Sequence, residues 1–170
     1  MPLRFEQFVS CLRKPLESCA IAGLFNGSTT TAERAGHMAF VEFEPHGVSM
    51  ILKEAPWVIP AAEIVDPRTL YVAAFHFHSQ GYEGYQQYAG TFPLGLSFAD
   101  DEKAVRQKLG PSVTAGGGNY NPLLGKKMSP WLRTEYQGAL LDAQFNGSGR
   151  VELMTLFVED LQQKAAEGKA

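Results

Sequence analysis

The apolar positions of this chain follow two periods. Residues 4–14 place Phe5, Phe8, Val9 and Leu12 at three- and four-residue intervals, the spacing of a helix with one buried face. Pro15 interrupts that helix and suits the first turn of a second, PLESCAIAGLF, which Asn26-Gly27 stops before a loop over Gly27–Thr31. From residue 37 the period shortens. HMAFVEFE (37–44) and VSMILKE (48–54), separated by Pro45-His46-Gly47, predict a β-hairpin. Residues 55–69 hold Pro56, Pro60 and Pro67 and predict an irregular connection with a turn of helix. LYVAAFHFH (70–78) is a strand. Its alternation assigns Leu70, Val72, Ala74, His76 and His78 to one face, and Tyr71, Ala73, Phe75 and Phe77 to the other.

The second half repeats this order. YAGTFPLGLSF reads as extended chain broken by Pro93 and Gly95. DDEKAVRQKLGP reads as a short helix capped by Asp100 or Asp101, with Val105 and Leu109 on one face and a left-handed Gly110 at its end. Residues 112–130 predict a loop. WLRTEY (131–136), ALLDAQF (139–145) and RVELMTLF (150–157), joined by Gln137-Gly138 and Asn146-Gly147-Ser148-Gly149, predict a three-stranded meander. LQQKAAEGKA is a polar tail, helical and then frayed. Glu42-Phe43 and Glu135-Tyr136 end the first strand of each half before a glycine turn. The expectation is an α+β fold: an antiparallel sheet with short helices packed on one face, built as two tandem helix–meander units. The units are residues 1–78 and 79–158 of a single domain over 1–170, with 159–170 as the tail.

Composition narrows the function. Hydrophobic residues at 45% and charged residues at 19% are ordinary for a globular chain. A net charge of −3 argues against a nucleic-acid binder, which carries a basic patch. No run approaches the roughly 20 apolar residues of a membrane span. The N-terminus is interrupted by Arg4, Glu6, Arg13 and Lys14, unlike a secretory leader, so the expected compartment is the cytoplasm. Cys11 and Cys19 then read as two buried free thiols on packing helices.

FPLGLSFADDEKAVRQKLGPS followed by WLRTEYQGALLDAQFNGSGRVELMTLF resembles the repeat of the β-lactamase-inhibitor-protein-like fold: a short helix ending in Leu-Gly, a loop, an aromatic at a strand start, and a meander. The family pattern is Leu-Gly-x-Pro, and Leu109-Gly110-Pro111 lacks the spacer residue. The order of elements also resembles bacterial immunity proteins, which neutralise toxins delivered to rival cells. The resemblance implies a sheet face that binds a protein partner, and it implies no catalytic residue.

Three groups of residues could carry chemistry. His76 and His78 share a strand face within reach of one metal ion, but zinc takes three or four ligands and His37 and His46 lie in another hairpin. No G-x-S-x-G elbow is present, and GGGNYN (116–121) lacks the GK[ST] ending of a phosphate loop. The third group is HFHSQGYEGYQQY (76–88). Its Tyr82, Glu83, Tyr85 and Tyr88 read either as cover for the core edge or as an exposed contact loop. On the meander, Arg133, Asp142, Gln144 and Glu152 form a polar face with Trp131 nearby. The expected function is that of an immunity protein, not an enzyme. It would need no cofactor, and would bind and neutralise a cognate toxin, a secreted effector, through these residues. The alternatives are a metal-binding protein or enzyme centred on His76 and His78, and a structural adaptor of a secretion or envelope system.

Overall fold

The computed structural model describes residues 3–19 and 32–169. Helix α1 (Phe5–Cys11) is followed by strands β1 (Glu33–Ala35), β2 (Met38–Phe43) and β3 (Val48–Glu54), helix α2 (Ala55–Val58) and β4 (Leu70–His78). Then come α3 (Glu102–Leu109), β5 (Thr114–Gly116), β6 (Tyr120–Asn121), β7 (Lys126–Lys127), β8 (Trp131–Tyr136), β9 (Ala139–Phe145), β10 (Val151–Phe157) and α4 (Leu161–Glu167). The expected second helix is a single 3₁₀ turn, Leu16–Ser18, as far as it is described; its remainder and the Gly27–Thr31 loop lie outside the described residues.

Eight strands form one antiparallel sheet in the order β1-β2-β3-β4-β10-β9-β8-β5. The two meanders, β2-β3-β4 and β8-β9-β10, meet where β4 pairs with β10. Each is preceded by a helix, α1 or α3, so the tandem helix–meander architecture is present. The helix of seven residues is too short to persist alone and depends on packing. Phe8 of α1 is fully buried, its ring 5.0 Å from Phe75 and 4.9 Å from Phe77. Val105 of α3 joins the same core, with Leu132, Leu141, Met154 and Leu156 from the second meander. Asp101, not Asp100, caps α3, accepting from the Ala104 amide at 2.8 Å.

Strand β4 departs from strict alternation. Its pairing with β3 passes from Ile51↔Ala74 to Leu52↔Val72, which leaves Ala73 as a bulge and exchanges the faces beyond it. Val72 and Leu70 therefore lie with Phe75 and Phe77 in the helix-covered core, while Tyr71 and Ala73 pack in a smaller cluster with Ala55, Val58 and Val158. His76 and His78 keep their expected common face, but Leu70 and Val72 do not share it.

Residues 112–130 are not all loop. Thr114–Gly116 extends the sheet beside β8, and β6 and β7 form a separate hairpin. Gly116 permits this, because a Cβ there would lie 2.2 Å from the Trp131 ring.

The cysteines are also corrected. Cys11 and Cys19 form a disulfide rather than two free thiols. Backbone turns closed by Lys14 N–H to Cys11 C=O (3.2 Å) and Cys19 N–H to Leu16 C=O (3.1 Å) fold the chain back across Pro15. Between them, Arg13 donates to Val72 C=O and Val72 donates to Lys14 C=O, both at 2.9 Å. This segment occupies the edge of β4 just past the last residues that β10 pairs. Cross-linking so short a loop contributes about 2.5 kcal/mol through the unfolded chain. A Cys11→Ser, Cys19→Ser variant is expected to fold and to melt about 5–10 °C lower than the parent under non-reducing conditions. Equal melting temperatures by circular dichroism would show that the bond contributes nothing.

Candidate functional site

The helices α1 and α3 cover one face of the sheet. On the opposite face, strand register lines up a polar row across six strands: Glu42, Ser49, His76, Thr155, Asp142 and Arg133 are successive Cα partners. A flanking row is mostly apolar: Phe40, Ile51, Ala74, Phe157 and Leu140. Phe40 is 41% exposed. Among the described residues, hollows open on this side. One of 660 Å³ lies over β1–β4, lined among others by Glu42, Ser49 and His76. One of 500 Å³ lies between Arg133, Phe157 and α4. Another, of 510 Å³, lies between Tyr82, Trp131, Gln144 and the β6–β7 hairpin.

The residues expected on the meander face are brought together, and they satisfy one another. Arg133 donates from Nε and from a terminal nitrogen to the two Asp142 oxygens at 2.6 and 2.8 Å. Its guanidinium also lies 4.5 Å from the Trp131 ring centre and 4.8 Å from that of Phe157. The Asp142 hydrogen bonds hold the Arg133 pKa above its ordinary value. Gln144 donates to Glu152 at 2.9 Å and to the Tyr82 hydroxyl at 3.2 Å, and Ser129 donates to Glu152 at 3.1 Å. This half of the face is therefore a preorganised network.

The tyrosine loop is not the exposed surface that its polar composition suggested. Tyr82 is half-buried, but Tyr85 and Tyr88 are each 4% exposed. The loop closes around the end of β4 from both sides. Tyr85 stacks on His78, with ring centres 3.7 Å apart and planes 5° apart. Tyr88 passes to the helix side, 4.8 Å from Phe77 and 6.0 Å from Phe8. Backbone bonds fix this path: Tyr88 N–H to His78 C=O at 3.0 Å, and Gln86 N–H to Glu44 C=O at 3.1 Å. Gly47 allows the approach, since a Cβ would lie 2.3 Å from the Tyr88 nitrogen. Desolvation raises both phenols to about 12, with Glu42 adding at Tyr85 and Glu6 at Tyr88. Of the four loop residues expected at an interface, Tyr82 and Glu83 remain accessible.

His78 is 1% exposed. Its Nε2 lies 3.0 Å from Ser49 Oγ, and its Nδ1 has no hydrogen-bond partner and lies 3.8 Å from Glu83 Oε2. Burial lowers its pKa to about 4, with His76 as a second cause; burial lowers that of His76 as well. The two rings are 6.4 Å apart. Among the described residues no three His, Cys, Asp or Glu side chains are grouped so as to hold a metal ion. Sequence reading missed Phe40, Glu42, Ser49, Ile51 and Thr155 as members of the open face. The strand alternation that found Arg133 and Asp142 would have found the first four had it been applied to β2 and β3.

No protein-family model, curated protein or solved structure matches the chain. Among the described residues no helix is long and apolar enough to cross a membrane.

Tyr85→Ala and Tyr88→Ala are expected to cost about 3–5 kcal/mol of stability, as for other buried aromatic rings. Tyr82→Ala loses a hydrogen bond worth about 1 kcal/mol. Denaturant titration that shows equal losses at all three positions would contradict this placement.

His78 gives the fold a pH dependence. The unfolded chain takes up the proton near pH 6.5 and the folded chain near 4, so the stability present above 6.5 falls as pH drops toward 4. At 1.36 kcal/mol per unit the loss reaches about 3 kcal/mol. His78→Phe, which keeps the stack on Tyr85, is expected to flatten the melting temperature across this interval relative to the parent. Parallel pH profiles for the two proteins would remove His78 as the cause.

Proposed function

We propose that this protein acts by binding another protein across the open face of its sheet, as an immunity or inhibitor protein that neutralises a cognate toxin. The observation that carries this reading is the cross-strand row from Glu42 to Arg133, flanked by Phe40, Ile51, Leu140 and Phe157. Rigid strands hold these groups at fixed spacing, so a partner meets a surface that needs little ordering, which favours affinity. Apolar side chains beside fixed charges supply contact area together with partner discrimination. The interface residues in this reading are Tyr82, Glu83, Trp131, Arg133, Asp142, Gln144 and Glu152, with Phe40, Glu42 and Thr155 added. Tyr85 and Tyr88 act beneath it, holding the loop. The Cys11–Cys19 bond favours an oxidising compartment over the cytoplasm for this activity.

The test uses the protein as bait in lysate and envelope fractions of its host, followed by co-expression with the captured partner. The wild-type protein is expected to relieve the partner's toxicity. Thr155→Arg places a long charged side chain at the centre of the row and, with Phe40→Asp, is expected to weaken binding at least about thirtyfold. Melting temperature should change little. A partner that binds both variants as tightly as the parent would place the interface elsewhere.

A further inference from the structure

Building on the protein-binding reading, we propose that the hollow over β1–β4 receives an arginine side chain of the partner. The hollow's 660 Å³ is lined by three carboxylates, Glu33, Glu42 and Glu83, together with Phe40, Tyr85 and His76. None of its lining residues is a lysine or an arginine. Among the described residues, none of the three glutamates forms an ion pair with Lys or Arg. Residues 20–31, AIAGLFNGSTTT, contain no basic residue that could serve. His76 stays neutral because burial depresses its pKa. The contrast with the β8–β10 half of the face is direct: there Asp142 is matched by Arg133, and here no Lys or Arg of the described residues meets the acids, Glu42 being engaged by the Tyr85 side chain.

A second feature lies next to the lining, where His78 stacks against Tyr85 beside Glu83. His78 Nδ1 is buried without a partner and directed toward Glu83 at 3.8 Å, too far for a hydrogen bond. Glu83 itself has a left-handed backbone (φ 52°) and a side chain 60% exposed, so its carboxylate is free to turn to an incoming donor. A guanidinium supplies five N–H donors in a planar fork and can bridge two carboxylates, which an ammonium does less well. Ile51 and Leu153 complete the lining and offer apolar contact to the methylene stem, while the partly exposed Phe40 offers an aromatic face to the cation.

The test titrates the intact protein with the peptide acetyl-Gly-Gly-Arg-Gly-Gly-amide, following the Ile51 and Leu153 methyl signals by NMR. The controls are its citrulline counterpart, which keeps the shape without the charge, and its lysine counterpart. The expected result is saturable shifts with the arginine peptide, weakened about tenfold or more in both controls and in a Glu42→Gln, Glu83→Gln variant that melts normally. Equal binding of the citrulline or lysine peptide, or no saturable shift, overturns the assignment. The same double variant is expected to lose partner binding in the capture assay, and unchanged partner affinity also overturns it. A partner that still binds Thr155→Arg would instead refute the open-face reading, whatever the peptide result.

Discussion

The pairing of β4 with β10 is the contact on which the remaining architecture depends. Each meander alone would leave a long strand edge unpaired and one apolar face uncovered, and an isolated three-stranded unit of this size is marginal. Joining them at Leu153↔His78 through Phe157↔Ala74 turns both edges inward and makes one sheet for α1 and α3 to cover. Phe75 and Phe77 then lie beneath α1 at the centre of the molecule, and His76 and His78 lie on the reverse of the same strand. Core and candidate interface are thus two sides of one strand.

That arrangement explains why the end of β4 is clamped so thoroughly. A buried imidazole is tolerated because Tyr85 covers it and Ser49 engages Nε2, and the loop that carries Tyr85 is held in turn by Tyr88 on the opposite side of the sheet. The loop also reaches the second meander through Tyr82 and Gln144. A change at any of these positions is felt at the face as well as in the core, so on the proposed reading stability and binding would be coupled at His78 and separable at Thr155.

The two halves of the open face differ in how their charges are used. Arg133 and Asp142 satisfy each other, and Gln144, Glu152, Ser129 and Tyr82 form a closed network; such groups hold shape and select against wrong partners more than they add affinity. Glu33, Glu42 and Glu83 carry charge that no Lys or Arg of the described residues matches. On the proposed reading, a partner would gain affinity where its own cation meets that charge, whereas the closed network on the meander would hold shape and discriminate partners.

By itself the sequence determined the long strands β2–β4 and β8–β10, the fold class and the common face of His76 and His78. Each of these follows from local alternation and turn chemistry, and short-range sterics decide them wherever a strand is regular. It also placed Arg133, Asp142 and Gln144 on one side, because β8 and β9 alternate without interruption; Glu152 joins them at an irregularity of the β9–β10 pairing between Val151 and Leu153. Only the tertiary structure decided the rest. The bulge at Ala73 depends on how β3 lies against β4, and no local signal in LYVAAFHFH marks it. The fate of the three tyrosines depends on which surfaces the loop meets: Tyr85 and Tyr88 are buried by contacts with His78 and Phe77, residues of the strand it doubles back on. The Cys11–Cys19 bond required the turns around Pro15 to bring two distant sulfurs together. The polar row from Glu42 to Arg133 joins six strands whose order is a property of long-range pairing, and long-range pairing is settled by the burial of the whole apolar face rather than by any one segment.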